Sequence, residues 1–116
     1  MSNSNPMLKI NERAFQQAVV ELATITGWLV HHTLPAQNGA GRWRTPTQGN
    51  IGFPDLVLVH PKRGVIYAEL KSAVGRVSEA QRRWLDILEQ AGAEAYVWRP
   101  IDIDFIRTRL MKGPSQ

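Results

Sequence analysis

Apolar side chains fall at Phe15, Ala18, Val19, Leu22 and Ala23, spaced i, i+3, i+4, i+7 and i+8. That spacing predicts an amphipathic helix with one buried stripe. Asn11 is suited to cap its start and Gly27 to end it. The period then changes. Trp28 to Thr33 reads as a strand, and the run Leu56-Val57-Leu58-Val59 pairs naturally with Val65 to Lys71 across a hairpin turn at Pro61 to Gly64. Helical spacing returns after Ser78, which forms a capping box with Gln81. Trp84, Leu85, Leu88 and Ala91 are the predicted buried stripe of this helix, Glu79 and Arg83 an ion pair on its outer side, and Gly92 its stop. Ala95-Tyr96-Val97-Trp98 is one more strand. Ile101 to Leu110, apolar at Ile103, Ile106 and Leu110, predicts a short helix.

The order is therefore α-β-β-β-α-β-α, an α/β fold with a mixed four-stranded sheet flanked by helices. A strand, crossover helix and strand imply that Tyr67–Lys71 and Ala95–Trp98 run parallel. Residues 1–10 are expected as a flexible leader, 11–111 as one domain and 112–116 as a polar tail. A chain of 116 residues is enough for one core and too short for two.

Composition narrows the class. Hydrophobic residues make up 43% of the chain and charged residues 21%, the balance of a soluble globular protein. Its apolar runs fall far short of the roughly 20 residues that span a bilayer. The start Met1-Ser2-Asn3-Ser4-Asn5-Pro6 lacks the basic and apolar regions of a signal peptide. There are no cysteines, which excludes a disulfide framework and thiolate metal sites and agrees with a cytoplasmic location.

Charge changes the picture more. The net charge is +4, and between Arg42 and Arg83 eight basic residues face three acids. An anionic partner is expected, and nucleic acid is the natural one. Residues 34–52 form a predicted long loop with four glycines, two prolines and no acid. Arg42-Trp43-Arg44 within it offers two phosphate-binding cations around a stacking surface. Arg76 and Arg82 extend the same expected DNA-binding surface.

The chemistry centres on Gly52 to Lys71. Glu69 and Lys71 project from the same side of their strand, and hairpin pairing brings Asp55 opposite them. Two neighbouring carboxylates repel unless a cation sits between them, and with water they suit Mg²⁺. A lysine at the rim can orient or deprotonate a water, or offset charge on a phosphate. The alternative is a partly buried Glu69–Lys71 pair with Asp55 capping a turn. On the first helix Glu12 falls about 60° from Phe15, beside Val19 and Ala23, whereas Glu21 falls at about 240°, toward solvent. Glu12 is thus the glutamate placed to reach an interior site, although an acid in a first turn is also favoured by the helix dipole. His31 and His32 alternate faces and cannot chelate as a pair, and His60 is expected in the turn.

These residues resemble the PD-(D/E)XK nucleases, and within them the VRR-NUC branch. The resemblance rests on Glu12, Gly52-Phe53-Pro54-Asp55, Glu69-Leu70-Lys71 and Ser78-Glu79-Ala80-Gln81, and it spans residues 12 to about 100. It implies a restriction-endonuclease-like core and cleavage of flapped or branched DNA by Mg²⁺, with Mn²⁺ able to substitute. Asp55, Glu69 and the Leu70 carbonyl would be metal ligands, Glu12 would complete the site directly or through water, and Lys71 would position or activate the water. Gln81 would be catalytic unless capping is its whole duty. The Val-Arg-Arg triplet that names the branch does not occur; Gln81-Arg82-Arg83 occupies a comparable place. Short members of the branch are similar to junction resolvases that act as homodimers, and Trp98, Ile103, Ile106 and Leu110 are candidates for such an interface or for the chain's own core. The competing expectations are a non-catalytic DNA-binding module that retains the fold and a subunit active only within a larger assembly.

Overall fold

The first helix, α1 (Glu12–Ile25), begins where Asn11 Oδ1 accepts a hydrogen bond from the Ala14 N–H at 2.8 Å. That bond satisfies one donor that a first helical turn leaves free. Gly27, at φ +94°, turns the chain into β1 (Leu29–His32). The computed structural model describes residues 6–34, 36–37, 43–44 and 48–113. Next come β2 (Ala36–Gln37), β3 (Trp43–Arg44), β4 (Leu56–His60) and β5 (Gly64–Leu70), then α2 (Glu79–Gln90), β6 (Glu94–Trp98) and α3 (Ile103–Met111).

The main sheet has the order β1-β4-β5-β6. β4 is antiparallel to both β1 and β5, while β6 joins β5 in parallel, as the crossover through α2 requires. This is the mixed four-stranded sheet with flanking helices that the sequence predicts. The segment read as a loop adds one feature, a short antiparallel pairing of β2 with β3 in the register Ala36↔Arg44.

Alternation along β4 and β5 gives the sheet two unlike faces. Leu56, Leu58, Ile66, Ala68 and Leu70 all point to one side, where Phe15, Val19 and Ala23 of α1 and Ile106 and Leu110 of α3 bury them completely. Each large apolar side chain so buried contributes roughly 1.5–3 kcal/mol relative to exposure. Packing of this kind, more than intrinsic propensity, holds the two helices in place. Trp98 joins that core and stacks near Tyr96. Trp98, Ile106 and Leu110 are therefore spent inside the chain, and Ile103 is nearly so, which removes them as a subunit interface.

The end of the sheet at the β4–β5 turn is tied down by one guanidinium. Arg109 of α3 donates to both oxygens of Glu94, at 2.6 and 2.8 Å, to the Arg63 carbonyl at 2.7 Å and to the Lys112 carbonyl at 2.8 Å. It also lies 5.4 Å from the Trp28 ring centroid. Burial would raise the Glu94 pKa, but bonds from Arg109 and the Tyr96 hydroxyl more than offset it and hold the carboxyl below its usual range. The charge is buried because it is fully paired.

Three readings change in detail. Within the expected leader, Pro6–Lys9 is a 3₁₀ turn beside the similar turn at Pro100–Asp102, and Ile10 packs on the core. On α2 only Leu85 is buried; Trp84 and Leu88 are half-buried and Ala91 is exposed. The ion pair on its surface is Arg82–Asp86, at 3.7 Å, in place of Glu79–Arg83. Ala91 is the cap that follows Gln90, beyond the last turn of α2, and so faces solvent.

Candidate metal centre

Gly52-Phe53-Pro54 delivers Asp55 to the start of β4. Gly52 has φ +97°, and a Cβ there would stand 2.5 Å from the Ala80 carbonyl carbon and 2.6 Å from its oxygen. Glycine alone meets both demands. Phe53 packs edge-on against Tyr67 and Trp84, with centroids 6.1 and 5.0 Å away. Trp84 Nε1 donates to the Asn50 carbonyl at 3.3 Å. The segment is thus clamped to the first turns of α2. Gly52→Ala is expected to lower stability by about 2 kcal/mol through backbone strain and overpacking. Urea unfolding checks this, and an unchanged midpoint would refute the clamp.

Asp55 faces inward along the sheet end. Its Oδ2 accepts from the Leu70 N–H at 3.0 Å, and its carbonyl accepts from the Thr33 N–H at 2.9 Å. The register Leu56↔Ala68 sets it opposite Glu69. Leu70 turns its N–H toward Asp55, and in an extended strand its carbonyl points the same way.

Glu69 is the centre of the cluster and is only 1% exposed. Its Oε2 accepts from Gln81 Nε2 at 2.7 Å and lies 3.3 Å from Lys71 Nζ. Its Oε1 is buried with no hydrogen-bond partner. Burial, reinforced by the neighbouring Asp55 carboxylate and opposed by Lys71, pushes its pKa up to about 7.

Gln81 serves with both ends of its amide. Its Oε1 accepts from the Ser78 N–H at 2.9 Å, closing the capping box, while Nε2 reaches Glu69. The cap therefore aims the donor. Glu12 stands apart at the first residue of α1, half-buried, with Oε2 3.5 Å from Gln16 Nε2. Among the described residues no three His, Asp or Glu side chains gather closely enough to hold an ion. Asp55 and Glu69 are a pair.

Arg76 and Arg82 are exposed around the N-terminal part of α2, lining one open cleft. Arg42 lies outside the described residues, as do the side chains of Trp43 and Arg44, whose backbone forms β3. His31 is exposed, and His32 is half-buried with Nε2 unpartnered. One residue escaped the sequence reading. Arg99 Nη1 donates to the Ser72 and Gly75 carbonyls at 2.7 and 2.8 Å, fixing the turn that follows Lys71. Its only sequence signal is an arginine directly after a buried strand end.

One end of the mixed sheet thus gathers two carboxylates, a lysine and a glutamine. The VRR-NUC domain matches residues 31–100, more than half of the chain, and the chain belongs to that family. It is accordingly a nuclease-type, DNA-processing domain. The matched segment contains Asp55, Glu69, Lys71 and Gln81 but begins after Glu12. No curated protein matches the chain.

Proposed function

We propose that this chain is a Mg²⁺-dependent endonuclease, with Mn²⁺ able to substitute, that hydrolyses phosphodiester bonds in flapped or branched DNA as a homodimer. The observation that carries the reading is the unpartnered, buried Oε1 of Glu69 beside the Asp55 carboxylate. A buried acceptor without a donor is costly, and a second carboxylate next to it makes the cost greater. A hard cation offsets both. Mg²⁺ retains several waters and needs only one or two protein carboxylates, so the pair formed by Asp55 and Glu69 suits it. The Leu70 carbonyl would be a further ligand, with Glu12 acting through water.

When bound, the cation supplies Lewis acidity toward the phosphate. The other duties fall to the chain. Gln81 holds the Glu69 carboxylate in one rotamer. Lys71, with its ammonium at the edge of the cluster, orients the attacking water and offsets charge on the phosphate. The exposed arginines of the α2 cleft, with Arg42, Trp43 and Arg44, hold the DNA.

Incubation with end-labelled flap, four-way junction and linear duplex DNA tests the proposal. Cleavage of the branched substrates with Mg²⁺ or Mn²⁺, abolished by EDTA, is the expected result. Equal cutting in EDTA would overturn it. Salt-sensitive DNA binding without turnover on any substrate would favour a binding module instead.

A further inference from the structure

A second feature of α2 lies beside the acid pair and has no part in it. Ala80, Arg83, Trp84 and Ile87, at i, i+3, i+4 and i+7, form one wall of a hollow of about 230 Å³ whose other wall is Asn50 and Ile51. Its lining is largely apolar, yet it stands open to solvent: Ile51 is 70% exposed and Ile87 50%. The Trp84 indole is held by its bond to the Asn50 carbonyl and by its edge-on contact with Phe53, so the ring is a preset surface. A rigid aromatic wall facing exposed isoleucines suits a flat, weakly polar ring.

The charge around the hollow narrows the occupant. Arg83 and Ile87 line both this hollow and the adjoining cleft, which also presents Arg76, Arg82 and Arg99. The cleft also carries Glu79 and Asp86, the latter paired with Arg82, and Arg99 is engaged by the Ser72 and Gly75 carbonyls. The cations that would follow a ring in the hollow are therefore Arg83 and Arg76. A nucleotide supplies what both parts need, a stacking base and a phosphate. We infer that this hollow takes an unpaired nucleobase of the DNA strand beside the cleavage site. A base inside a duplex is stacked on both faces and cannot enter without the cost of unpairing. An unpaired base at a flap or branch enters freely, and Ala80 places it next to Gln81 and so beside Glu69. The hollow is thereby a source of branch selectivity, an inference that rests on the nuclease reading above.

The test is made in EDTA, where binding is read without cleavage. Flap DNA carries 2-aminopurine at the first unpaired nucleotide, and matched duplex carries it in a pair. Wild-type protein is expected to quench the flap probe, because the base lies against Trp84. Ile51→Asp and Ile87→Gln, both at exposed positions, are expected to weaken flap binding on the order of tenfold, to relieve the quenching and to leave duplex binding unchanged. Equal weakening on both DNAs, or no weakening, overturns the inference. So does loss of dimer in sedimentation with flap affinity intact, which would make the hollow a subunit interface. Wild-type cleavage with Mg²⁺ is scored separately. Failure there overturns the nuclease reading while the EDTA comparison still decides the hollow.

Discussion

Asp55→Asn is expected to lower Mg²⁺-dependent cleavage of flap DNA on the order of 100-fold or more. Binding of the same DNA in EDTA should survive. The substitution keeps the size of the side chain and can still accept from the Leu70 N–H, so the end of the β4–β5 hairpin has no cause to move. What disappears is one of the two negative charges that would hold the cation. The asparagine also removes the repulsion that, after burial, does most to raise the Glu69 pKa. The rise in melting temperature that Mg²⁺ gives wild-type protein should therefore shrink together with activity. Glu69→Gln and Lys71→Ala are expected to lose cleavage to a similar degree, the former with the metal response and the latter with that response retained. Cutting by Asp55→Asn at the wild-type rate would remove the acid pair from the mechanism.

Strand geometry made much of this site legible in the sequence. A two-residue period puts Glu69 and Lys71 on one side of β5, and hairpin pairing leaves Asp55 little choice but to face them. The order of elements and the parallel pairing of β5 with β6 follow equally from local pattern and connection rules. What local pattern cannot carry is the distance between elements. Helical angles put Glu12 on the edge of its buried stripe, but they do not say how far along the axis it stands from β4 and β5. In the structure its side chain meets Gln16, and among the described residues no third His, Asp or Glu joins Asp55 and Glu69 in a cluster able to hold an ion. Gln81 presents the opposite case. Its capping role is local and readable, whereas its reach to Glu69 exists only because α2 packs against Gly52. The predicted stripe of α2 was misjudged for a related reason. Periodicity identifies the apolar side of a helix but not its last residue, so Ala91, the cap that follows Gln90, remains in solvent.

Glu69 should also give the metal-free protein an unusual dependence of stability on pH. Its pKa is about 7 in the folded state against the ordinary glutamate value of 4.5, burial being the main cause and Asp55 the second. Between those values the folded chain holds a proton that the unfolded chain has released. Stability therefore falls as pH rises through this window. The favourable contribution is full below about pH 4.5 and lost above about pH 7. In Glu69→Gln the neutral amide cannot ionise, so this slope should vanish. At about pH 8 in EDTA the variant should exceed wild type by on the order of 3 kcal/mol. At about pH 4 the two should converge, because Glu69 is then largely neutral in both the folded and the unfolded chain. Urea unfolding in EDTA at a series of pH values measures both curves. Parallel curves would mean that Glu69 ionises inside the protein at its ordinary pH and that the site already compensates its charge. Mg²⁺ separates the same two proteins in the opposite sense. At about pH 8 a cation beside Glu69 should restore stability to wild type and leave Glu69→Gln nearly unmoved, since only the former has the charge to receive it.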